Sequence, residues 1–500
     1  MQTHLLTSFV VLSTSFSAPV FADVTAADVW ANQQAYLGAI GINASGTLTA
    51  DELTDPVFDF VLPMGVATLQ IRTDPVAFEE NSDGSVTITY PSPMILTFAG
   101  GMEGEGSMTG TVNVTHDGYT ITASGTPGDV TYASDARNLR VEIGDLTTDA
   151  VDASDMSIEG FLALDFWTGQ SRVTEGNLIR YTSTIEAGTS TADFTISGEG
   201  LTSQNTQTTR PIRSVVNATL PTGGSDLMNL SGALRDGLNV SIESSGEGSS
   251  SEAITLLEGE VFNSQTTSTG AQTTNLNLSE DGFFVAAEAA DFNIVMNDPL
   301  LLPGDLEFGL SSISMSYDIP VNRSDDVQNF RLAAGLNGIT MDDAIWNLFD
   351  PAGQLSRDPA EISFDVTGTG TSDIDLLDFA ALSQLMGPPP IEIDKVTIES
   401  MRIALAGAEA TATGAMTFDW TDFETIPGIA RPEGQVVVNL NGANQLMDAL
   451  ANMGLLAVDD LMMPRMMLGM FATPVGDDML TSTLEVNDQG HVIANGQRLQ

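Results

Sequence analysis

Five methionines crowd a single stretch of this chain: Met462, Met463, Met466, Met467 and Met470. Thioethers at i and i+3 or i+4 can bind Cu(I) in an oxidising compartment, can form an adaptable apolar surface, or can fill a pliable core. No histidine or cysteine accompanies these sulfurs, so copper ranks last of the three and would rest on thioethers alone. A core helix ranks first, and a surface for a lipid, acyl chain or partner protein second. On a helix over 458–471, Leu461, Met462, Met466 and Met470 share one broad face, with Met463 and Met467 toward its flank. Pro464 interrupts that helix by removing an amide.

Other groups that could do chemistry are few. There is no cysteine, so disulfides, thiolate nucleophiles and zinc–thiolate sites are excluded together. Three histidines occur and Lys395 is the single lysine, so imidazole and amine bases are nearly absent. His116 adjoins the Asp117-Gly118 turn signal and His491 opens the final strand, both reading as exposed hairpin residues. Serines are many, but no G-x-S-x-G elbow, H-E-x-x-H, phosphate loop or dinucleotide motif is present. The glycine run Ala99–Gly106 carries Glu103 and Glu105, the wrong charge for cradling phosphate.

Carboxylates are abundant, and a pair of them could hydrolyse a glycosidic bond. The densest group, Asp373, Asp375 and Asp378, sits where a helix would begin, and there acids serve free amides and the dipole. Asp342-Asp343 and Asp459-Asp460 have the same explanation. No segment has the alternating calcium-loop pattern with its distal Glu, so weak diffuse cation binding is the expectation. The sequence therefore yields no catalytic residue, no cofactor site and no specific metal site.

The acidic balance, 67 Asp and Glu against 16 Lys and Arg for a net charge of −51, repels nucleic acids and anionic lipid headgroups. A chain of 500 residues that is 42% hydrophobic can bury several cores. Residues 1–22 contain no Asp, Glu, Lys or Arg, and Leu5–Leu12 is apolar. Val20-Phe21-Ala22 fits a cleavage site, so the expectation is an exported protein beginning at Asp23. No apolar run reaches the roughly 20 residues that span a bilayer.

These groups must be positioned mostly by strands. Thr25 and Asp28 mark a capping box for a helix over Val24–Ala39. From residue 45 to 320, period-two runs such as Ser85–Tyr90 and Thr109–Thr115 alternate with Asp-Gly turns, the pattern of an antiparallel meander. Helices are expected over Asp342–Leu348, Ser372–Met386, Gly442–Leu456 and 458–471, and closing strands over Thr481–Val486 and His491–Ala494. The organisation expected is a leader (1–22), a helix (23–41), β-rich regions (42–225 and 226–387) and an α+β region (391–500). The fold class is mainly β, in large twisted antiparallel sheets forming a meander, sandwich or curled trough. Stretches 202–209 and 244–251 are candidate boundaries or long hairpin loops, and 388–390 is a candidate boundary.

The segment Phe21–Asn32 resembles the opening of domain-of-unknown-function family 2125, exported alphaproteobacterial proteins without assigned role. The similarity extends to Tyr90-Pro91-Ser92-Pro93-Met94, the acidic β-rich middle and the length. The closing Leu484–Asp488 and Val492–Gly496 are more loosely similar to the ends of AsmA-like envelope proteins. These resemblances imply a periplasmic envelope protein and carry no functional residue. The expected role is non-enzymatic binding or scaffolding in the periplasm, with a lipid or an envelope protein as partner. A carboxylate-dependent polysaccharide hydrolase and an outer-membrane-associated β protein are the alternatives.

Overall fold

The computed structural model describes residues 23–499, except 62–66, 103–105, 149–156, 227, 300–303, 386–389, 426–427 and 458. Residues 1–22, where a leader and cleavage site are expected, the acidic part of the glycine run and most of the triple proline lie outside the described residues. The chain divides into two units. The first comprises Met1–Glu280, Asp298–Leu301 and Leu377–Ser383; the second comprises Asp281–Asn297, Leu302–Leu376 and Gln384–Gln500.

Strands dominate both units. Six helices occur among the described residues: α1 (Ala26–Ala39), α2 (Leu230–Arg235), α3 (Asp343–Phe349), α4 (Phe379–Leu382), α5 (Ala443–Asn452) and α6 (Met462–Phe471). Every strand pairing is antiparallel, and the fold is mainly β, as the alternating runs predict.

The first unit is a meander of long strands, most of them interrupted near the middle. Strand segments Gly106–Thr115 and Tyr119–Thr126 both pair with the one strand Asp129–Thr148. They are thus two halves of one strand broken at residues 116–118. The same holds for Leu178–Ala187 with Ser190–Gly198, and for Leu201–Thr209 with Ile212–Pro221. Breaks line up from strand to strand and are stitched across by backbone amides. Asp117 donates to the Arg137 carbonyl at 2.9 Å, Asp165 to Thr189 at 3.0 Å and Arg210 to Gly248 at 2.9 Å. The result is a seam of bulges, the device by which a strand bends and gains twist.

Two expectations are corrected here. Asp117-Gly118 is a mid-strand bulge and not a hairpin turn: Gly118 has φ +112°, which a bulge needs as much as a turn does. His116 is buried in that bulge, with Nε2 3.0 Å from the Pro91 carbonyl and its ring edge against Tyr119. His491 is half-buried beside the closing hairpin turn, where Asn487 Oδ1 accepts from its amide at 3.0 Å. Asp83-Gly84 does turn a hairpin, between Val76–Glu80 and Val86–Thr89.

Helix α1 packs against strands Ile42–Leu48, Val76–Glu80, Asp129–Thr148 and Leu178–Ala187 of the first unit. Its capping box forms as expected, with the Asp28 amide donating to Thr25 Oγ1 at 3.2 Å and the Thr25 amide donating to Asp28 Oδ2 at 3.0 Å. Val29 and Asn32 are fully buried. Asn32 receives the Tyr132 hydroxyl at 2.7 Å and donates to Glu175 at 2.6 Å, while Tyr36 stacks on Tyr181. Beneath lie Phe78, Val86, Ile88, Ala123 and Val130, each at most 1% exposed. Leu234 and Ala233 of α2 are buried as well.

The second unit is also a meander. Gly282–Asn297, Asp305–Ile319, Ser324–Met341, Ala360–Ser372, Ile391–Leu405, Ala408–Asp419, Arg431–Asn441 and Met479–Val486 pair in consecutive order. The short strands Thr473–Gly476 and Val492–Ala494 occupy the outer side of the last of these. Such short pieces, one containing Pro474, blunt an edge.

The helix expected over Ser372–Met386 is replaced by strand and a single turn. Ser372 ends strand Ala360–Ser372, paired with Ile391 and Ser324, and α4 covers only Phe379–Leu382. Sheet pairing on both sides outweighs the local capping signal. The other three expected helices form, with α3 capped by Asp342, whose Oδ1 accepts from Ile345 at 2.9 Å.

Candidate binding surface

Side chains directly opposite in an antiparallel sheet share a face, so the register of the second unit sorts its residues into two sets. One row runs Ala287, Met315, Ala334, Phe364, Met401, Ala412, Val438, Ser482. The next runs Ala289, Ile313, Leu336, Ile362, Ile403, Ala410, Leu440, Leu480. A third joins Val366, Ile398, Gly414, Val436 and Leu484. This face is almost wholly apolar across eight strands.

The opposite face is polar. It carries Ser314, Arg331, Asp365, Thr367, Lys395, Arg402, Glu409, Thr411, Asn439 and Thr481. Arg331 donates to Asp365 at 2.8 Å, and its guanidinium holds that carboxyl below the usual range. Arg402 bridges Glu409 at 2.7 Å and also meets Glu361.

An apolar sheet face ordinarily packs against another layer. Here Met315, Leu336, Ile362, Phe364, Met401, Ile403, Leu405 and Leu484 remain 37–51% exposed. At one end the face runs into an open cleft of about 100 Å³ lined by Ile339, Met341, Trp346, Ile362, Ile403 and Leu405. Arg357 and Asp358 form its polar border. Arg357 lies over the Trp346 ring at 5.8 Å and is ion-paired to Asp343. Asp350, fully buried below, accepts the Gln354 and Leu355 amides at 2.8 Å and fixes the loop bearing Arg357.

The five methionines stand on α6, and all are solvent-exposed, from Met467 at 49% to Met462 at 66%. Leu461 precedes the helix and is buried at 4%, while Leu468 and Phe471 are partly covered. Met463 and Met467 therefore do not flank a face shared with Leu461. Leu461 turns inward, and the five thioethers turn outward.

The acidic trio has separate duties. Asp375 Oδ1 accepts the Arg323 amide at 2.9 Å, and Asp378 caps α4 through Ala381 at 2.9 Å. The Asp373 amide donates to Pro390. Among the described residues no group of three or more His, Cys, Asp or Glu could hold a metal ion, and no helix is long and apolar enough to cross a membrane. The apolar face was missed by sequence reading. Its signal is alternation within each strand, and register shifts such as those at Asp365/Val366 and Ile398/Met401 hide which side those residues share.

No curated protein and no solved structure matches the chain. Residues 254–495 match the DUF2125 family, described as uncharacterized protein conserved in bacteria. The matched stretch lies apart from Phe21–Asn32 and Tyr90–Met94 and contains most of the apolar face. Over that stretch, just under half of its length, the chain is similar to the DUF2125 family.

Proposed function

We propose that this chain is an exported, non-enzymatic binding or scaffolding protein of the bacterial envelope that holds an apolar ligand, such as a lipid, on the uncovered face of its second unit. The observation that carries the reading is the apolar face of the second unit, on which Met315, Leu336, Ile362, Phe364, Met401, Ile403, Leu405 and Leu484 remain 37–51% exposed. Contiguous exposed apolar surface of this kind marks an interaction site in water. The charge-free leader and the scarcity of bases support export and a role without nucleophilic chemistry. The net charge of −51 disfavours binding through anionic headgroups, so the acyl portion of the ligand is what the face would recognise.

The test is a fluorescent long-chain fatty acid titrated into the purified chain, with mass spectrometry of co-purifying lipid. Phe364 and Met401 are opposite in register, and both are already exposed, so Phe364→Glu with Met401→Glu desolvates little charge. The double variant should lose at least tenfold in uptake with its melting temperature nearly unchanged. Thr367→Glu, on the polar face, should bind as wild type does. No uptake by the wild type, or equal uptake by the double variant, overturns the reading.

A further inference from the structure

We propose that the outward side of α6 is a thioether site for Cu(I). At 3.6 residues per turn, Met462, Met466, Met470, Met463 and Met467 fall in one arc, roughly 140° wide by the helical period. Residues three and four apart on that arc have Cβ atoms about 5–6 Å from one another, a separation that flexible thioethers can close on a single ion. Met463 lies three and four residues before Met466 and Met467, and Met470 lies four and three after them, so each of these two can reach both members of the central pair.

Three features set this helix apart from a packed one. All five sulfur-bearing side chains are 49–66% exposed, so they do not fill a core. Each is methionine where leucine would give the same apolar surface, and only the thioether adds a soft donor that selects Cu(I) over hard cations. The one cation within the helix, Arg465, is neutralised by Asp448, so no unpaired positive charge on the helix opposes the ion. Asp459, Asp460 and Asp477 nearby in sequence add to a chain of net charge −51 that draws cations inward. Binding is simple coordination and needs no electron transfer.

The inference does not depend on lipid binding by the sheet, and the test separates the two. Under anaerobic conditions the full chain competes for Cu(I) with a chromophoric chelator. Wild type should withdraw about one equivalent. Met466→Leu with Met467→Leu removes the central pair and should weaken binding at least tenfold, with melting and fatty-acid uptake unchanged. Met315→Leu with Met401→Leu, on the sheet, should bind copper as wild type does. A wild type that leaves the chelator's copper untouched overturns the proposal, as does an α6 double variant that competes equally well.

Discussion

The strands around Val86, Ile121, Val130 and Tyr181 and those around Leu336, Phe364, Met401 and Val438 share the same alternation of side chains. Around Val86 and Val130, both at 0% exposure, that alternation ends in a sealed core near α1. In the second the corresponding side chains stay open, with Phe364 at 37% and Ile362 at 46%. The difference lies in what covers each sheet. Trp30, Val29 and Asn32 of α1 supply a lid fixed by a capping box and by the hydrogen bonds of Asn32 to Tyr132 and Glu175. Helices α5 and α6 have no fully buried residue. One region stores its apolar surface as stability, and the other keeps it available.

The largest effect that can sharpen this contrast comes from alkali. Tyr36, Tyr90, Tyr119, Tyr132 and Tyr181 all belong to the first unit, and burial raises the pKa of each, Tyr90 to about 12. A phenol whose folded pKa lies above its unfolded value of about 10 contributes stability that is complete below pH 10. That contribution is lost as pH rises through the folded value. For Tyr90 alone the loss between pH 10 and 12 is about 3 kcal/mol. Circular dichroism against pH should show the first unit unfolding in that window, with tyrosinate absorbance rising in step. Tyrosinate appearing well before the loss of structure would mean that these rings are not sealed.

Truncating one phenylalanine in each region is the next test. Phe78 is 1% exposed, so Phe78→Ala should cost about 3–5 kcal/mol, through lost burial and the cavity it leaves. Phe364→Ala removes a ring already 37% exposed and should cost about 1–2 kcal/mol. Urea melts of the two variants decide the matter. Equal costs would show that the second face is covered in solution, most simply by another copy of the chain.

How much of this was legible in the residues depends on the kind of signal. Thr25 and Asp28 announce α1, and Asp342 announces α3, because caps are local and their partners lie within a turn. Asp83-Gly84 announces a hairpin, yet Asp117-Gly118 carries the same letters and makes a bulge. Positive φ is common to both, and only the partner strand distinguishes them. Ser372–Met386 fails for a related reason: Ser372 is held by Ile391 and Ser324, pairings far away in sequence. The five methionines were visible as a cluster, but their exposure is set by Leu461 turning inward. The apolar face needed register, which no single strand contains.

Salt should act more gently. Folding gathers a net charge of −51 into a smaller volume, so repulsion weakens the native state when screening is poor. Between dilute buffer and about 0.5 M NaCl, screening contracts to a few ångströms, and the melting temperature should rise by several degrees. Many of the cations are already spent locally, as Arg331 is on Asp365 and Arg431 is on Asp419 at 3.0 Å. A flat curve would mean that such pairing, and not screening, governs the acidic surface.

The smallest effect concerns the lid itself. Thr25→Ala removes the hydroxyl that accepts the Asp28 amide and donates to its carboxylate at 2.6 Å. Loss of an N-cap of this kind costs about 1 kcal/mol, or about 2–4 °C in a domain of this size. The Thr25 hydrogen bonds also hold the Asp28 carboxyl below its ordinary pKa. A lowered folded value gives stability that is present above the unfolded pKa and is lost as pH falls through the folded one. Wild type should therefore lose more than the variant on acidification below about pH 4, where the unfolded carboxyl begins to protonate. Thermal melts of both proteins at pH 7 and pH 3 measure the gap directly. A gap that does not narrow at pH 3 would show that the hydroxyl's bond to the amide carries the cap and that the carboxylate adds nothing to it.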